Sequence, residues 1–320
     1  MEHLVVEWGL SPSVLYSGGS DGVLYTWDIR TLEYPVATRK IADDEITALT
    51  ISATDTLVAA GSSVYRLIGS NGIETILECE DDINVMDLHH TGRRLAVADD
   101  TGTVSVLDLK TPKKKVTRLT GQHTNLCTAV KFRPKYSWDY LVSGGMDSLL
   151  VYWNASTGRP RTRVVHVESF ADEDAATTTG LQCLNPPLVH AIDVTDHFYV
   201  VAIGDTTIAV RSFDYQNPAD PYKLRFVAHR GAVCQAKAVL EHETGLTLVS
   251  TSTDRTMALW DIQNVKQPAN AKTDDHPSAN LLHRWTGIKN KPNWISISPQ
   301  KETVAIADTS KCISVKSLFN

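Results

Sequence analysis

The sequence predicts an all-β fold built from seven repeats of one short-stranded unit. Three hairpins share a layout of an apolar strand, small residues, an Asp turn, an alternating strand and a Trp six positions after the Asp. They begin at Leu15, Tyr140 and Thr247. Weaker copies that keep the two strands but lack the Trp begin at Thr56, Arg94, Tyr199 and Thr303. A period of about 40 to 45 residues with four short strands is typical of β-propeller blades, and seven blades need roughly 280 to 315 residues.

The first hairpin, "LYSGGSDGVLYTWDIR", also contains a match to the G-x-S-x-G pattern of hydrolases, centred on Ser20. In those enzymes the serine lies on a strained turn between a strand and a helix. Here the following residues, Val23 to Trp27, are β-branched and aromatic, which favours a strand. We therefore expect Ser20 to be a hairpin turn residue, and an esterase remains the less favoured alternative.

The whole chain, residues 1–320, is expected to form one propeller domain with surface insertions at about 165–186 and 264–280. The inner strand of blade 1 is predicted in "HLVVEWG", close to the first residue. Blade 7 reaches only its third strand, "CISVKSLFN". We expect either a three-stranded blade 7 or natural residues upstream of this start, and a blade edge that is open to pairing.

Composition excludes several functional classes. With 31 Lys and Arg against 37 Asp and Glu, the net charge of -6 argues against a nucleic-acid partner. No apolar run approaches the length needed to cross a membrane, and the first residues lack a signal-peptide pattern, so we expect a monomer in the cytoplasm, the nucleus or both. The five cysteines are far apart and lack C-x-x-C spacing, and we expect no metal and no cofactor.

Blades 4 and 6 each contain Ser, His, Asp and Trp at matching positions. The sets are His123, Ser143, Asp147 and Trp153, and His229, Ser250, Asp254 and Trp260. Together with the Trp-Asp endings of the hairpins, these positions resemble the WD-repeat family. That resemblance implies a buried chain of hydrogen bonds from Asp to His to Ser to the Trp indole, which is a structural arrangement and not a catalytic triad.

The end of the first hairpin resembles a second motif. Asp21, Trp27, Asp28 and Arg30 match the sixteen-residue DWD box of substrate receptors for cullin-4 ubiquitin ligases, although Thr26 stands where the box favours an apolar residue. In those receptors the Arg contacts the damaged-DNA-binding adaptor. Blades 4 and 6 carry Ser156 and Gln263 at that position. The resemblance implies a non-enzymatic receptor, and a WD-repeat scaffold with no ligase contact is the alternative.

Two short acidic loops enter blades 2 and 3. They contain Asp43, Asp44 and Glu45, and Glu80, Asp81 and Asp82. Because the loops are expected at the same end of adjacent blades, their carboxylates could form a docking patch for a basic partner. The alternative is ordinary solvated loop charge.

Overall fold

Seven antiparallel sheets form the protein in a computed structural model. The structure describes residues 2–111, 115–161, 165–167, 186–213, 223–265, 276–310 and 312–319. Most of both predicted insertions lies outside these residues. Within the described part of the second insertion, a strand begins at Ser278 and continues to Trp285. None of the described residues forms a helix long and apolar enough to span a membrane.

The first four blades run from His3 to His166, and their strands are as follows. Blade 1 contains β1 (His3–Trp8), β2 (Val14–Gly19), β3 (Val23–Asp28) and β4 (Ala37–Lys40). Blade 2 contains β5 (Ile46–Ile51), β6 (Thr56–Ala60), β7 (Ser63–Ile68) and β8 (Gly72–Glu78). Blade 3 contains β9 (Ile83–Leu88), β10 (Arg94–Asp99), β11 (Val104–Asp108) and β12 (Val116–Leu119). Blade 4 contains β13 (Cys127–Phe132), β14 (Tyr140–Gly145), β15 (Leu149–Asn154), β16 (Arg159–Pro160) and β17 (Val165–His166).

The last three blades complete the ring. Blade 5 contains β18 (Val189–Val194), β19 (Phe198–Ile203), β20 (Thr207–Ser212) and β21 (Lys223–Val227). Blade 6 contains β22 (Val233–Glu241), β23 (Leu246–Ser252), β24 (Met257–Gln263) and β25 (Ser278–Trp285). Blade 7 contains β26 (Pro292–Ile297), β27 (Thr303–Asp308) and β28 (Ile313–Ser317).

The blades are arranged in a closed ring through their inner strands. Each inner strand contacts the inner strand of the next blade, and β1 of blade 1 contacts both β5 and β26. The prediction of a seven-bladed propeller with a three-stranded last blade is confirmed. No described strand pairs with the outer edge of β28.

Small residues in the second strand of every blade allow the next blade to approach. A Cβ atom on Gly18 would lie 2.2 Å from Ile46 Cγ2 in blade 2, and one on Gly144 would lie 2.5 Å from Val189 Cγ1 in blade 5. Strand register places small or medium-sized residues at the same position throughout: Gly18, Ala59, Ala98, Gly144, Ala202, Thr251 and Ala307. The small residues of the hairpin repeat are therefore required by contacts between blades.

A second link between blades is polar. Near its start, nearly every inner strand has one residue at which the register of strand pairing shifts. In five blades the side chain of this residue donates a hydrogen bond to, or shares one with, the first backbone carbonyl of the next inner strand. The five bonds are Thr47 to Ile83 (2.5 Å), Asn84 to Cys127 (3.3 Å), Thr128 to Val189 (2.5 Å), His190 to Val233 (2.9 Å) and Asn293 to His3 (3.2 Å). The last of these joins blade 7 to blade 1.

The junction between blades 7 and 1 has additional hydrogen bonds around Glu7. The Glu7 carboxylate accepts from Trp294 Nε1 at 3.0 Å and from Ser296 Oγ at 2.6 Å. In the opposite direction, Trp8 Nε1 donates to the Ser296 carbonyl at 3.0 Å. These bonds lie between the inner strands, so closure of the ring does not require a fourth strand in blade 7.

Replacing Glu7 with Ala is expected to lower the free energy of unfolding by about 2 kcal/mol, because the buried Ser296 hydroxyl and the Trp294 indole lose their acceptor. Urea denaturation of both proteins measures the difference. Glu2→Ala is the control, since the Glu2 side chain is exposed. Equal stability of Glu7→Ala and the parent would show that the junction does not depend on these bonds.

Candidate functional site

Arg30 lies at the end of the third strand of blade 1, in the 3-10 turn Ile29–Thr31. Asp28 caps this turn, and its Oδ1 accepts from the Arg30 backbone N–H at 2.9 Å. The same carboxylate holds the Arg30 guanidinium, with Nε at 2.9 Å from Oδ1. These bonds to Arg30 lower the pKa of Asp28 to about 2. The Arg30 side chain is nevertheless 74% exposed, so its position is fixed while one side of the guanidinium remains accessible.

The remaining positions of the DWD match have internal contacts. Trp27 is buried and donates from its indole to Ser17 Oγ at 2.8 Å. Asp21 accepts from the Tyr25 hydroxyl at 2.6 Å in the turn at the other end of β3. Burial and this bond to Asp21 raise the pKa of Tyr25 to about 12. Within the match, only Arg30 combines high exposure with a fixed position.

The two ends of β3 define two faces of the ring. The Ile29 N–H donates to the Ser13 carbonyl at 2.9 Å, which joins the turn after β3 to the turn between β1 and β2. We call the end of the ring formed by these turns and their equivalents in other blades the Arg30 face. The opposite face is formed by the turns between second and third strands, such as the Asp21 turn, and by the loops that enter each blade.

Blade 4 brings its four predicted residues into one chain of hydrogen bonds. Asp147 Oδ2 lies 3.0 Å from His123 Nδ1, and His123 Nε2 lies 2.8 Å from Ser143 Oγ. Trp153 Nε1 donates to the same Ser143 oxygen at 2.8 Å. Burial opposes ionisation of Asp147, but the bond from His123 holds its pKa below the usual value. Because Ser143 is fully buried and accepts the indole proton, no substrate carbonyl can reach its hydroxyl.

Blade 6 departs from the expected chain at the Asp–His step. His229 Nδ1 lies 3.7 Å from Asp254, too far for a direct hydrogen bond, and instead shares a bond of 2.8 Å with Thr256 Oγ1. Thr256 donates to Asp254 at 2.7 Å and so relays the contact. At the other end, Ser250 receives the Trp260 indole at 3.0 Å and meets His229 Nε2 at 2.8 Å. The structure thus brings both predicted sets of four residues together, and in blade 6 Thr256 bridges Asp254 and His229.

One comparison with known families bears on this arrangement. The WD40 family model, described as WD domain, G-beta repeat, matches residues 113–154. This range contains all four members of the blade 4 chain and lies in a ring of seven blades. The two findings support a WD-repeat family. Propellers of this kind typically act as non-catalytic scaffolds for other proteins.

Ser20 has the surroundings of a turn in this propeller. It lies between β2 and β3, and its Oγ accepts from the Glu2 backbone N–H at 3.2 Å. The element after the turn is a strand, as the sequence predicted, whereas a hydrolase nucleophile requires a helix there. The described residues contain no group of three or more His, Cys, Asp or Glu that could hold a metal ion.

The acidic loops lie on the opposite face of the propeller. One joins β4 to β5 and the other joins β8 to β9, as expected for loops entering blades 2 and 3. All six carboxylate residues are exposed: Asp43, Asp44, Glu45, Glu80, Asp81 and Asp82. Asp43 forms an ion pair with Lys40 at 3.3 Å, and in the described part of the chain no ion pair links the other five.

The inner strands also carry a layer of polar residues, five of them charged, that the sequence did not predict. Strand register places Glu7, Thr50, Asp87, Lys131, Asp193, Lys237 and Ser296 at one level. Lys131 Nζ donates to Asp87 at 2.6 Å. Despite burial, attraction from Asp87 and Asp193 raises the pKa of Lys131, whereas burial and repulsion from Lys131 lower the pKa of Lys237. A polar residue at the same register position of each inner strand was the available signal.

Acidification is expected to destabilise the protein partly through His229. Burial and the nearby Arg284 lower its pKa from 6.5 to about 4, against the attraction of Asp254. The unfolded chain therefore binds more protons between these values, and stability present above pH 6.5 falls by about 2 kcal/mol by pH 5. The pKa values of His89 and His190 are also lowered, so the parent shows a larger total loss.

His229→Gln tests this assignment, because glutamine hydrogen bonds but does not titrate. Urea unfolding at pH 7 and pH 5 should show a smaller loss of stability for this variant than for the parent. His90→Gln, at an exposed position, should behave like the parent. An identical loss in His229→Gln and the parent would contradict the prediction.

Proposed function

We propose that the protein is a substrate-receptor-like subunit of a cullin-4 ubiquitin ligase and binds the damaged-DNA-binding adaptor through the Arg30 face. The observation that carries the proposal is the exposed, fixed Arg30 guanidinium at the end of the DWD match. Exposed ion pairs contribute little to folding, so Arg30 can exchange Asp28 for a partner's acceptor at small cost. Arginine is also enriched among residues that dominate protein interfaces.

Sequence likeness supports the same role. Segments from blade 3 to the C terminus, including "INVMDLHHTGRRLAVADDTGTVSVLDL" and "KPNWISISPQKETVAIADTSKCISVKSL", resemble WD repeat-containing protein 53. Blades 1 and 2 match that protein loosely. We propose a relationship to it, and thereby to propellers that bind the cullin-4 adaptor. A general scaffold without ligase contact is the alternative.

Co-purification with the adaptor distinguishes these roles. Arg30→Ala is expected to reduce adaptor recovery about tenfold, the loss typical of an interface arginine. Arg255→Ala, which removes an exposed arginine from the opposite face, should leave recovery unchanged. Equal recovery with Arg30→Ala and the parent, or no recovery with either, would contradict the receptor role and favour the general scaffold.

The acidic loops support a place for the second partner. We propose that Asp43, Asp44, Glu45, Glu80, Asp81 and Asp82 on the opposite face bind a basic segment, so that adaptor and substrate occupy different ends of the ring.

A labelled peptide of Lys and Arg residues tests this surface. Replacing Glu80, Asp81 and Asp82 with their amides should weaken its binding several-fold at low salt. The matched control replaces Glu33, Glu243 and Glu302, which are exposed on the Arg30 face, with Gln. An equal effect of the two triple variants on peptide binding would show that the acidic loops act only as ordinary surface charge.

A further inference from the structure

A cavity of about 380 Å³ opens on the Arg30 face between blades 3 and 4. The turn between β9 and β10 forms one wall, and the turn between β13 and β14 forms the other. Its lining residues are His89, His90, Thr91, Arg93, Arg94, Tyr136, Ser137 and Trp138. The lining therefore combines two guanidinium groups with two large aromatic rings and includes no carboxylate.

Internal bonds fix both walls. The buried ring of His89 shares a bond of 2.8 Å with Thr91 Oγ1 in its own turn and one of 2.9 Å with the Tyr136 carbonyl across the cavity. Burial lowers the pKa of His89, which keeps this link neutral. The Tyr136 ring is supported from behind by the Arg133 guanidinium, 3.6 Å from its centroid. A partner would thus meet a preformed site with little ordering cost.

Both arginines share one carboxylate as their ion-pair partner at the cavity. Asp108, buried beside it, lies 3.0 Å from both Arg93 and Arg94. Arg94 also lies over Trp138 at 4.3 Å, and its buried Nε has no hydrogen-bond acceptor among the described residues. Arg93 is 53% exposed. Asp108 thus pairs with both guanidinium groups, and Arg93 and Arg94 keep N–H donors that can bind an incoming anion.

We propose that this cavity binds an acidic peptide segment of a partner protein. A Glu or Asp side chain of the segment meets Arg93 and Arg94, and an adjacent aromatic or aliphatic side chain packs against Tyr136 and Trp138. A cavity of this volume accommodates about two side chains. Tyr, Trp and Arg are also the residues most enriched where side-chain anchors bind.

Charge distribution favours a peptide over a longer polyanion. The chain carries a net charge of -6, and the loop entering blade 3 at the opposite face contains exposed Glu80, Asp81 and Asp82. An acidic segment is therefore repelled from that face and attracted to the local excess of cations at the cavity. Nucleic acid requires a row of phosphate contacts, whereas this cavity is lined by two arginines, Arg93 and Arg94.

Fluorescence anisotropy with a labelled ten-residue peptide of alternating Glu and Phe tests the proposal. The parent protein should bind it saturably, more weakly at high salt, and at least about tenfold more tightly than the matched Gln and Phe peptide. Arg93→Gln should weaken binding about tenfold and Tyr136→Ala several-fold. Arg255→Gln is the matched control at the opposite face, and Arg30→Ala should also leave binding unchanged.

Arg93 donates to Asp108, so misfolding is a second explanation for a loss of binding by Arg93→Gln. A second variant separates the two explanations. His90→Glu changes an exposed residue at the rim of the cavity and should weaken the acidic peptide by charge repulsion alone. The proposal is overturned if the parent shows no saturable binding, or if Arg93→Gln and His90→Glu both bind like the parent. Equal displacement of the peptide by a single-stranded RNA of the same charge would also overturn it.

Discussion

Close approach of adjacent inner strands is the contact on which the rest of the ring depends. Glycine or another small or medium-sized residue in each second strand admits the neighbouring inner strand, and polar side chains then bond to that neighbour's first carbonyl. A single four-stranded sheet cannot bury both of its faces, so each blade is stable only between two others. The same contacts carry closure between blades 7 and 1, where Glu7, Trp294 and Ser296 form additional bonds.

Because these inner contacts hold the ring together, most turns at its two ends are not needed for the blades to pack against one another. The Ser, His and Asp residues that resemble a catalytic set are buried within blades 4 and 6, where they satisfy one another and a Trp indole. Exposed groups such as Arg30 and the acidic loops lie instead on turns at opposite ends. Exposed charged groups at both ends of the ring are a suitable basis for a scaffold that joins two partners.

The repeated hairpin pattern, with its Trp in three copies and only its two strands in the other four, was sufficient to predict seven blades, because it is a local strand and turn pattern. The three-stranded blade 7 was one of two alternatives that the sequence left open, and the structure has it. The exposed turn that contains Arg30 was predictable for the same reason, because it follows from a local pattern of residues. Contacts between distant residues were not predictable in this way: Arg94 and Trp138 meet only because neighbouring blades place their turns together. The relay through Thr256 arises because His229 lies 3.7 Å from Asp254, whereas the corresponding distance in blade 4 is 3.0 Å, and no spacing rule resolves this difference.

No described strand pairs with the outer edge of β28, and the joint between blades 7 and 1 differs between the axis and the rim of the ring. At the junction of blades 7 and 1, the bonds around Glu7 lie toward the axis, while Ile313 and Val315 at the rim are only partly buried against the cluster that contains Trp27. Opening of this joint would therefore begin at the perimeter and pivot about the inner strands. Arg30 belongs to blade 1, one of the two blades at the joint, so a load applied through that residue acts on the joint itself.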